Sequence, residues 1–474
     1  MGSYELGNSG GTGRPARVWD AGFAELPYCG LSLYYVPSAT ITSASQFRVF
    51  SDDTISYERL ALKQLDGEDS AVTLGWRNIT PCSEIDKDFE MKRLLSLFLT
   101  AWMLCPSLSA KEFNITEYGA TANDDTDDST AIEKTLSACG KAGGGTVFIP
   151  AGTFILSRRN NETPILEVPP NTTIRGEGAA SILKFDSKVN QSNFWRMIGA
   201  PVDGGTKNVV IRDLHLDGSN THPKYVKGET PEHNAGLWFY NKNHVIENVT
   251  VMNVLAENFS GDCMAFSYNC RAITVRDCTL RNFVRQGIQM GGSPGSRDYL
   301  VTGCRDLEHS VQPGGSTIHV EHARGLKNVI IQNNQCRKSI LAGGVEGMII
   351  RGNTVTGRIV GNSNTNLVIH SNIVKALPKA IAVVQLGYTK GLIFRGNIIE
   401  GAEESTIGLY VWGNSRYNKQ PGEDVTISDN QISGAETAIS LNGTKNVRIY
   451  GNTLKASIQL RQTRTEELKS DTTE

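Results

Sequence analysis

The chain has 474 residues, 20% of them charged, with a formal net charge of −2. Such totals allow a sizeable core, and no basic block points to nucleic acid or a membrane surface. Glycine is the unusual component: 48 residues against 16 prolines, spread evenly enough to indicate many tight turns rather than a linker.

Residues 1–90 show neither a sustained 3.6 nor a sustained 2 periodicity, and are expected to be an upstream segment outside the mature protein. The stretch "MKRLLSLFLTAWMLCPSLSA", 91–110, is built like a secretory signal peptide. Lys92 and Arg93 precede the apolar run Leu94 to Leu104, and Ser107 to Ala110 give a small-residue exit. The run is too short to span a bilayer, which needs about 20 residues. Cys105 lacks the small residue before it that a lipid anchor wants. The expectation is a start at Met91, cleavage after Ala110, and a secreted, periplasmic or extracellular protein with no membrane attachment afterwards. The rival is a small N-terminal domain followed by a buried helix.

From 117 to 156 the sequence reads "EYGATANDDTDDSTAIEKTLSACGKAGGGTVFIPAGTFIL". Ile132, Leu136 and Cys139 form one apolar stripe at helical spacing. Asp127, Asp128 and Ser129 are cap candidates, Thr130 with Glu133 fits a capping box, and "GGG" stops the helix. Asp124, Asp125, Asp127 and Asp128 lack the spacing of a calcium loop, so capping and a solvated turn are expected.

The second half repeats. "NVIIQNNQC" from Asn328, "GMIIRGNTV" from Gly347 and "NLVIHSNIV" from Asn366 share one pattern, repeated from Gly391, Asp424 and Asn446. Alternation inside each unit means a strand with one face in, and the aligned asparagines 334, 353, 372, 397, 430 and 452 predict a stacked amide ladder. Cys278 and Cys304 fall at the same position in earlier units. Short strands without helices between them, rich in Ile, Val and Gly rather than Leu, predict an all-β fold. It is a right-handed parallel β-helix over 111–455 with a short N-terminal capping helix, followed by a polar tail, 456–474.

The run "YGATANDDTDDSTAIEKTL…AGGGTVFIPAGTF" resembles the opening of the pectate-lyase-like superfamily of parallel β-helix proteins, and with the repeats the resemblance covers roughly residues 112 to 455. It implies a polysaccharide partner, met by a lyase, a glycoside hydrolase, a uronate epimerase or a non-catalytic adhesin. The Asn-Thr-Asp, Asp-Asp, Gly-His-Gly and Arg-Ile-Lys set of polygalacturonases is missing, as is the Asp-Pro-His signature of secreted mannuronan epimerases. "RQGIQM" from Arg285 with "IHVEH" from Ile318 is similar to an Arg-Gln-Gly-Ile and Ile-Asp-Ile-Glu-Pro pair in the superfamily. His319 stands in place of the Asp and His322 in place of the Pro, so only Glu321 is retained.

Alternation turns Leu237, Phe239, Met264, Phe266, Ile288, Met290, Ile318 and Val320 inward, and Trp238, Tyr240, Gln289, His319 and Glu321 outward. Asp262, Arg285 and Gln286 are expected at the turn just ahead of this face. Asp262 and Glu321 are the carboxylate pair a hydrolase needs. A lyase or epimerase would take His319 or His322 as base and Arg285 as the cation for a uronate carboxylate. Trp238, Tyr240, Gln286, Gln289 and His233 are the expected substrate contacts. The plain alternatives are turn capping for Asp262, a structural ion pair for Arg285, and rings covered by the Ser219–Asn234 insertion. Tyr410 and Trp412 form a second outward aromatic set, read as coil packing or a distal subsite. The reading is a lyase or epimerase on an acidic polysaccharide, with a hydrolase or an adhesin as alternatives. The six cysteines after Ala110 have no zinc spacing and fit either disulfides or buried thiols. No motif supports a cofactor or a metal, and whether calcium bridges protein and uronate is left open by the sequence.

Overall fold

A computed structural model describes residues 111–471 apart from 158–162, 187–193, 221–225, 308–314 and 415–417, together with 32–33, 46–51 and 54–59. The chain divides into two units, 1–105 and 106–474. In the first, Ser32–Leu33, Gln46–Ser51 and Thr54–Arg59 form a small antiparallel sheet. The expected leader, 91–110, lies outside the described residues. Among the described residues no helix is long and apolar enough to cross a membrane.

The second unit is a right-handed parallel β-helix. Each strand pairs in parallel with the strand one coil further on. Val329, Met348, Leu367, Leu392, Val425 and Val447 thereby stack as one fully buried row. The alternating pattern explains this: period 2 puts every second side chain inside. Asn334, Asn353, Asn372, Asn397, Asn430 and Asn452 form the expected ladder. Each Nδ2 donates to the next Oδ1 at 2.9–3.0 Å, and that oxygen also accepts the preceding backbone N–H. Cys304 joins it through its N–H to Asn334 Oδ1, 2.9 Å. All six described cysteines are free, buried thiols. Turn glycines are dictated by the ladder's neighbours: at Gly352, with φ +63°, a Cβ would stand 2.5 Å from Asn333 Oδ1.

Helix α1 (Ser129–Lys141) caps the first coils with Ile132, Leu136 and Cys139 buried. Its start differs from the expected capping box. Asp127 Oδ1 accepts the Ser129 N–H at 2.9 Å, while Asp128 turns away to accept the N–H groups of Thr121 and Ile155 at 2.8 and 3.0 Å. The carboxylate thus ties the cap to the first coil, and Thr130 and Glu133 are already inside the helix. The C-terminal boundary also needs correction. Residues 456–474 do not begin a polar tail, because Ile458–Thr463 and Glu466–Ser470 add another coil, with Ile439 against Leu460 and Val447 against Leu468. A terminal coil buries few side chains, so its composition reads as polar.

One sheet carries the candidate site. Its strands are β1 (Pro164–Glu167), β2 (Arg196–Gly199), β3 (Ala235–Glu257), β4 (Asp262–Arg276), β5 (Gln286–Met290), β6 (Ser316–Val320), β7 (Ile340–Gly343), β8 (Ile359–Asn362), β9 (Ala382–Gly387), β10 (Ile407–Trp412), β11 (Thr437–Asn442) and β12 (Ile458–Thr463).

Candidate functional site

The register of β3 to β6 sets one outward row, Trp238, Ala265, Gln289 and His319, on successive coils. Upstream of that row, Asp262 pairs with Gln286 and Gln286 with Ser316. Asp262 and Gln286 therefore sit within the strands, not in the turn ahead of them. The inward set is as expected: Leu237, Phe239, Met264, Phe266, Ile288, Met290, Ile318 and Val320 are all buried.

Arg285 connects the two ends of the face. Its Nη1 donates to Asp262 Oδ2 at 2.9 Å and its Nη2 to Glu321 Oε1 at 2.8 Å. The other Glu321 oxygen lies 3.7 Å from His319 Nδ1. Asp262, Arg285, His319 and Glu321 thus form one connected group. The Asp262 carboxylate is 2% exposed, against about 20% for the other three side chains. Burial pushes the Asp262 carboxyl up to about 7, although the Arg285 charge pulls it down; Glu321 and Glu232 add to the rise. Its Oδ1 has no hydrogen-bond partner among the described residues, so one oxygen is available to carry a proton or meet a ligand. Burial works against the Arg285 charge, but Asp262, Glu321 and Glu232 together outweigh it and raise Arg285, which stays protonated. Burial lowers His319 below the usual imidazole value, with Arg285 and His322 acting in the same direction and Glu321 against. A neutral imidazole at neutral pH follows, and its buried Nδ1 has no hydrogen-bond partner among the described residues.

His322 is apart from this group. It is exposed, in the left-handed region at φ 52°, and its carbonyl accepts the Gly292 N–H. That turn gives its backbone a structural role. Gln286 and Gln289 are buried, at 3% and 6%, rather than open on the face. Gln286 Oε1 is also without a partner among the described residues.

Trp238 and Tyr240 are half-buried and stack at 5.3 Å. They belong to a longer strip that the sequence did not show. His233 stacks on Phe194 at 5.2 Å, and Arg196 lies 5.5 Å from the Phe194 ring and 4.1 Å from Trp238. Tyr240 meets Tyr268 edge-on at 4.6 Å, with Lys242 5.4 Å from Tyr268. The described end of the 219–234 insertion seats the strip's upper edge: Asn234 Oδ1 accepts the Trp195 N–H, and the Asn234 carbonyl accepts the Asp262 N–H. His222 lies outside the described residues. Arg196 was traceable by carrying the Ala235–Asp262 position back one coil, since Arg196 pairs with Ala235. Nothing in the sequence marks Tyr268, which lies within β4 with a left-handed backbone, φ 61°.

Among the described residues no group of three or more His, Cys, Asp or Glu side chains is placed to hold a metal. The arrangement can do proton chemistry: a neutral imidazole, a carboxyl that titrates near neutrality, and a guanidinium between two carboxylates.

Residues 112–337 match the family described as rhamnogalacturonase A/epimerase, pectate lyase-like. Mannuronan C5-epimerase AlgE3 of Azotobacter vinelandii is 27% identical over 38% of this chain and 10% of its own length. Alginate lyase 7 of the same organism is 28% identical over 37% of this chain and 20% of its own. The chain therefore spans only a small part of these curated relatives. In structure, the Azotobacter vinelandii AlgE6 A-module superposes with a TM-score of 0.55 at 17% identity, covering 76% of this chain and 100% of that one.

Proposed function

For a chain of the pectate-lyase-like superfamily of parallel β-helix proteins, we propose a polysaccharide-active enzyme that removes the C5 proton of a uronate residue, as a lyase or an epimerase. The observation that carries this is the neutral, half-buried His319 beside Glu321, with Arg285 held over Asp262 next to them. The names of the epimerase and lyase relatives support the same reaction class.

The uronate carboxylate takes the place of Glu321 on Arg285, and protonated Asp262 donates to it as well. Charge that develops on the carboxylate as C5 is deprotonated is stabilised there. His319 takes the C5 proton, and Glu321, now released, pairs with the imidazolium. In a lyase the C4–O bond then breaks, C4=C5 forms and the leaving oxygen takes the proton from the His319 imidazolium, which returns to its neutral form. In an epimerase water delivers a proton to the opposite face of C5, and the His319 imidazolium gives its proton to the hydroxide that remains. Trp238 and Tyr240 hold the sugar rings. The missing Asp-Pro-His signature means that any epimerase chemistry runs on these residues instead.

Secretion belongs to the same proposal and rests on 91–110. Edman sequencing of exported protein should begin at Lys111; an intact Met1 in the cytosol would contradict it. The reaction is tested on a panel of uronate polymers, with and without calcium. Ultraviolet-absorbing unsaturated product identifies a lyase, and C5 inversion an epimerase. A second reading, glycoside hydrolysis, is favoured by the Asp262–Glu321 pair, in which one carboxyl is protonated near neutrality. New reducing ends without unsaturation would establish it. Binding without product would leave a carbohydrate-binding protein.

A further inference from the structure

The outward row that holds His319 continues through Leu341, Val360 and Gln385 to Tyr410, four coils away. On its other side the row reaches Trp238 in three coils. Coils are about 4.8 Å apart, so Tyr410 lies roughly 19 Å beyond His319 and Trp238 roughly 14 Å before it. Tyr410 is not alone. It stacks with Trp412 at 6.3 Å, and Tyr388 meets Trp412 edge-on at 4.4 Å. All three rings are half-exposed. The indole lies against Gly387 of β9, where a Cβ would come within 2.6 Å of it. A larger residue there would push the ring off the groove floor.

Two arginines flank these rings, and the acceptors of their guanidinium groups are neutral. Arg358 donates to Gln385 Oε1 and the Ala382 carbonyl; Arg464 donates to Asn442 Oδ1 and the Asn414 carbonyl. Asn442 also donates to the Tyr410 hydroxyl, which joins Arg464 to the aromatic group. Several surface lysines instead face a carboxylate on the next coil, as in Lys327–Glu346, Lys375–Glu400 and Lys390–Glu423, while Arg351, away from these rings, also bonds a neutral acceptor, Gln332 Oε1. Rings beside cations whose described partners are neutral match a chain of sugars bearing carboxylates.

Resting on the uronate reading above, we propose that Tyr388, Tyr410 and Trp412, with Arg358 and Arg464, form a distal subsite for the same acidic polysaccharide. The two aromatic platforms then bracket the reacting group, and a chain of roughly seven or eight pyranose rings lies across the seven coil steps from Trp238 to Tyr410. Chain length becomes the specificity determinant: long chains reach both platforms and short ones only one.

The test is calorimetric affinity of the full chain for octamannuronate and trimannuronate. The natural protein should bind the octamer at least tenfold more tightly than the trimer. Trp412→Leu should lower the octamer-to-trimer affinity ratio about tenfold, and Arg464→Gln should lower it in the same direction with a shallower salt dependence. Arg464 is exposed, so its variant keeps the test open should Trp412→Leu not fold. Ratios unaltered by both substitutions, or equal affinity of the natural protein for both lengths, would overturn the proposal. The uronate reaction fails separately: octamer binding that depends on Trp412 without any turnover sinks the proton-abstraction reading and upholds the subsite.

Discussion

Replacing Asp262 with Asn should change how stability depends on pH. Asp262 is 2% exposed, and burial raises its carboxyl from 3.8 to about 7 despite the Arg285 contact. In the unfolded chain the same group ionises near 4. Between about pH 4 and pH 7 the folded protein therefore keeps a proton that the unfolded chain has released, and stability falls as pH rises. The favourable contribution is complete below about pH 4 and lost once pH passes 7. Three units at about 1.36 kcal/mol each make the loss about 4 kcal/mol. Asn carries no such proton and still offers Arg285 a carbonyl oxygen. Urea unfolding at pH 4, 6 and 8 should show the Asp262→Asn variant gaining on the natural protein by about 4 kcal/mol across the range. Only the slopes are compared, so a constant offset from the altered Arg285 contact drops out. Parallel curves, or a natural protein that gains on the variant as pH rises, would refute the claim that a buried, largely protonated Asp262 sits at the centre of the site.

Three further outcomes are expected. His319→Gln should lower kcat by about 10²–10⁴ with the fold intact, as loss of a general base does; an unchanged kcat would remove His319 from the mechanism. The kcat/KM profile should rise as His319 loses its proton, below the usual imidazole value, and fall near pH 7 as Asp262 ionises; in Asp262→Asn the alkaline limb should move away from pH 7. Asn372→Leu removes bonds to the Asn353 N–H and the Ile350 carbonyl in the buried ladder, and should cost about 2–5 kcal/mol in denaturant unfolding, since both partners are left buried and unsatisfied.

The fold was legible because its physics is local and periodic. Alternation fixed the inward face, and the aligned asparagines found each other at the spacing of one coil. The site was legible only as rows. Alternation says that His319 and Gln289 share a face, and the register confirms it. It does not say that Arg285 reaches from one end of that face to Glu321 at the other, because that depends on the length and direction of a side chain. It likewise left Gln286 and Gln289 open when neighbouring coils bury them. The last coil was missed for a related reason: among its strand residues only Leu460 is buried, so the hydrophobic signal was too weak to mark it.

The central claim is that His319 takes a proton from C5 of a uronate. Proton NMR of polymannuronate incubated with the enzyme in deuterated water tests it directly. The account predicts loss of the C5 proton signal, with deuterium in its place after inversion or a new vinyl signal after elimination, and neither with His319→Gln. Cleavage that leaves every C5 proton in place, with new reducing ends, would contradict the account and move the chemistry to Asp262 and Glu321.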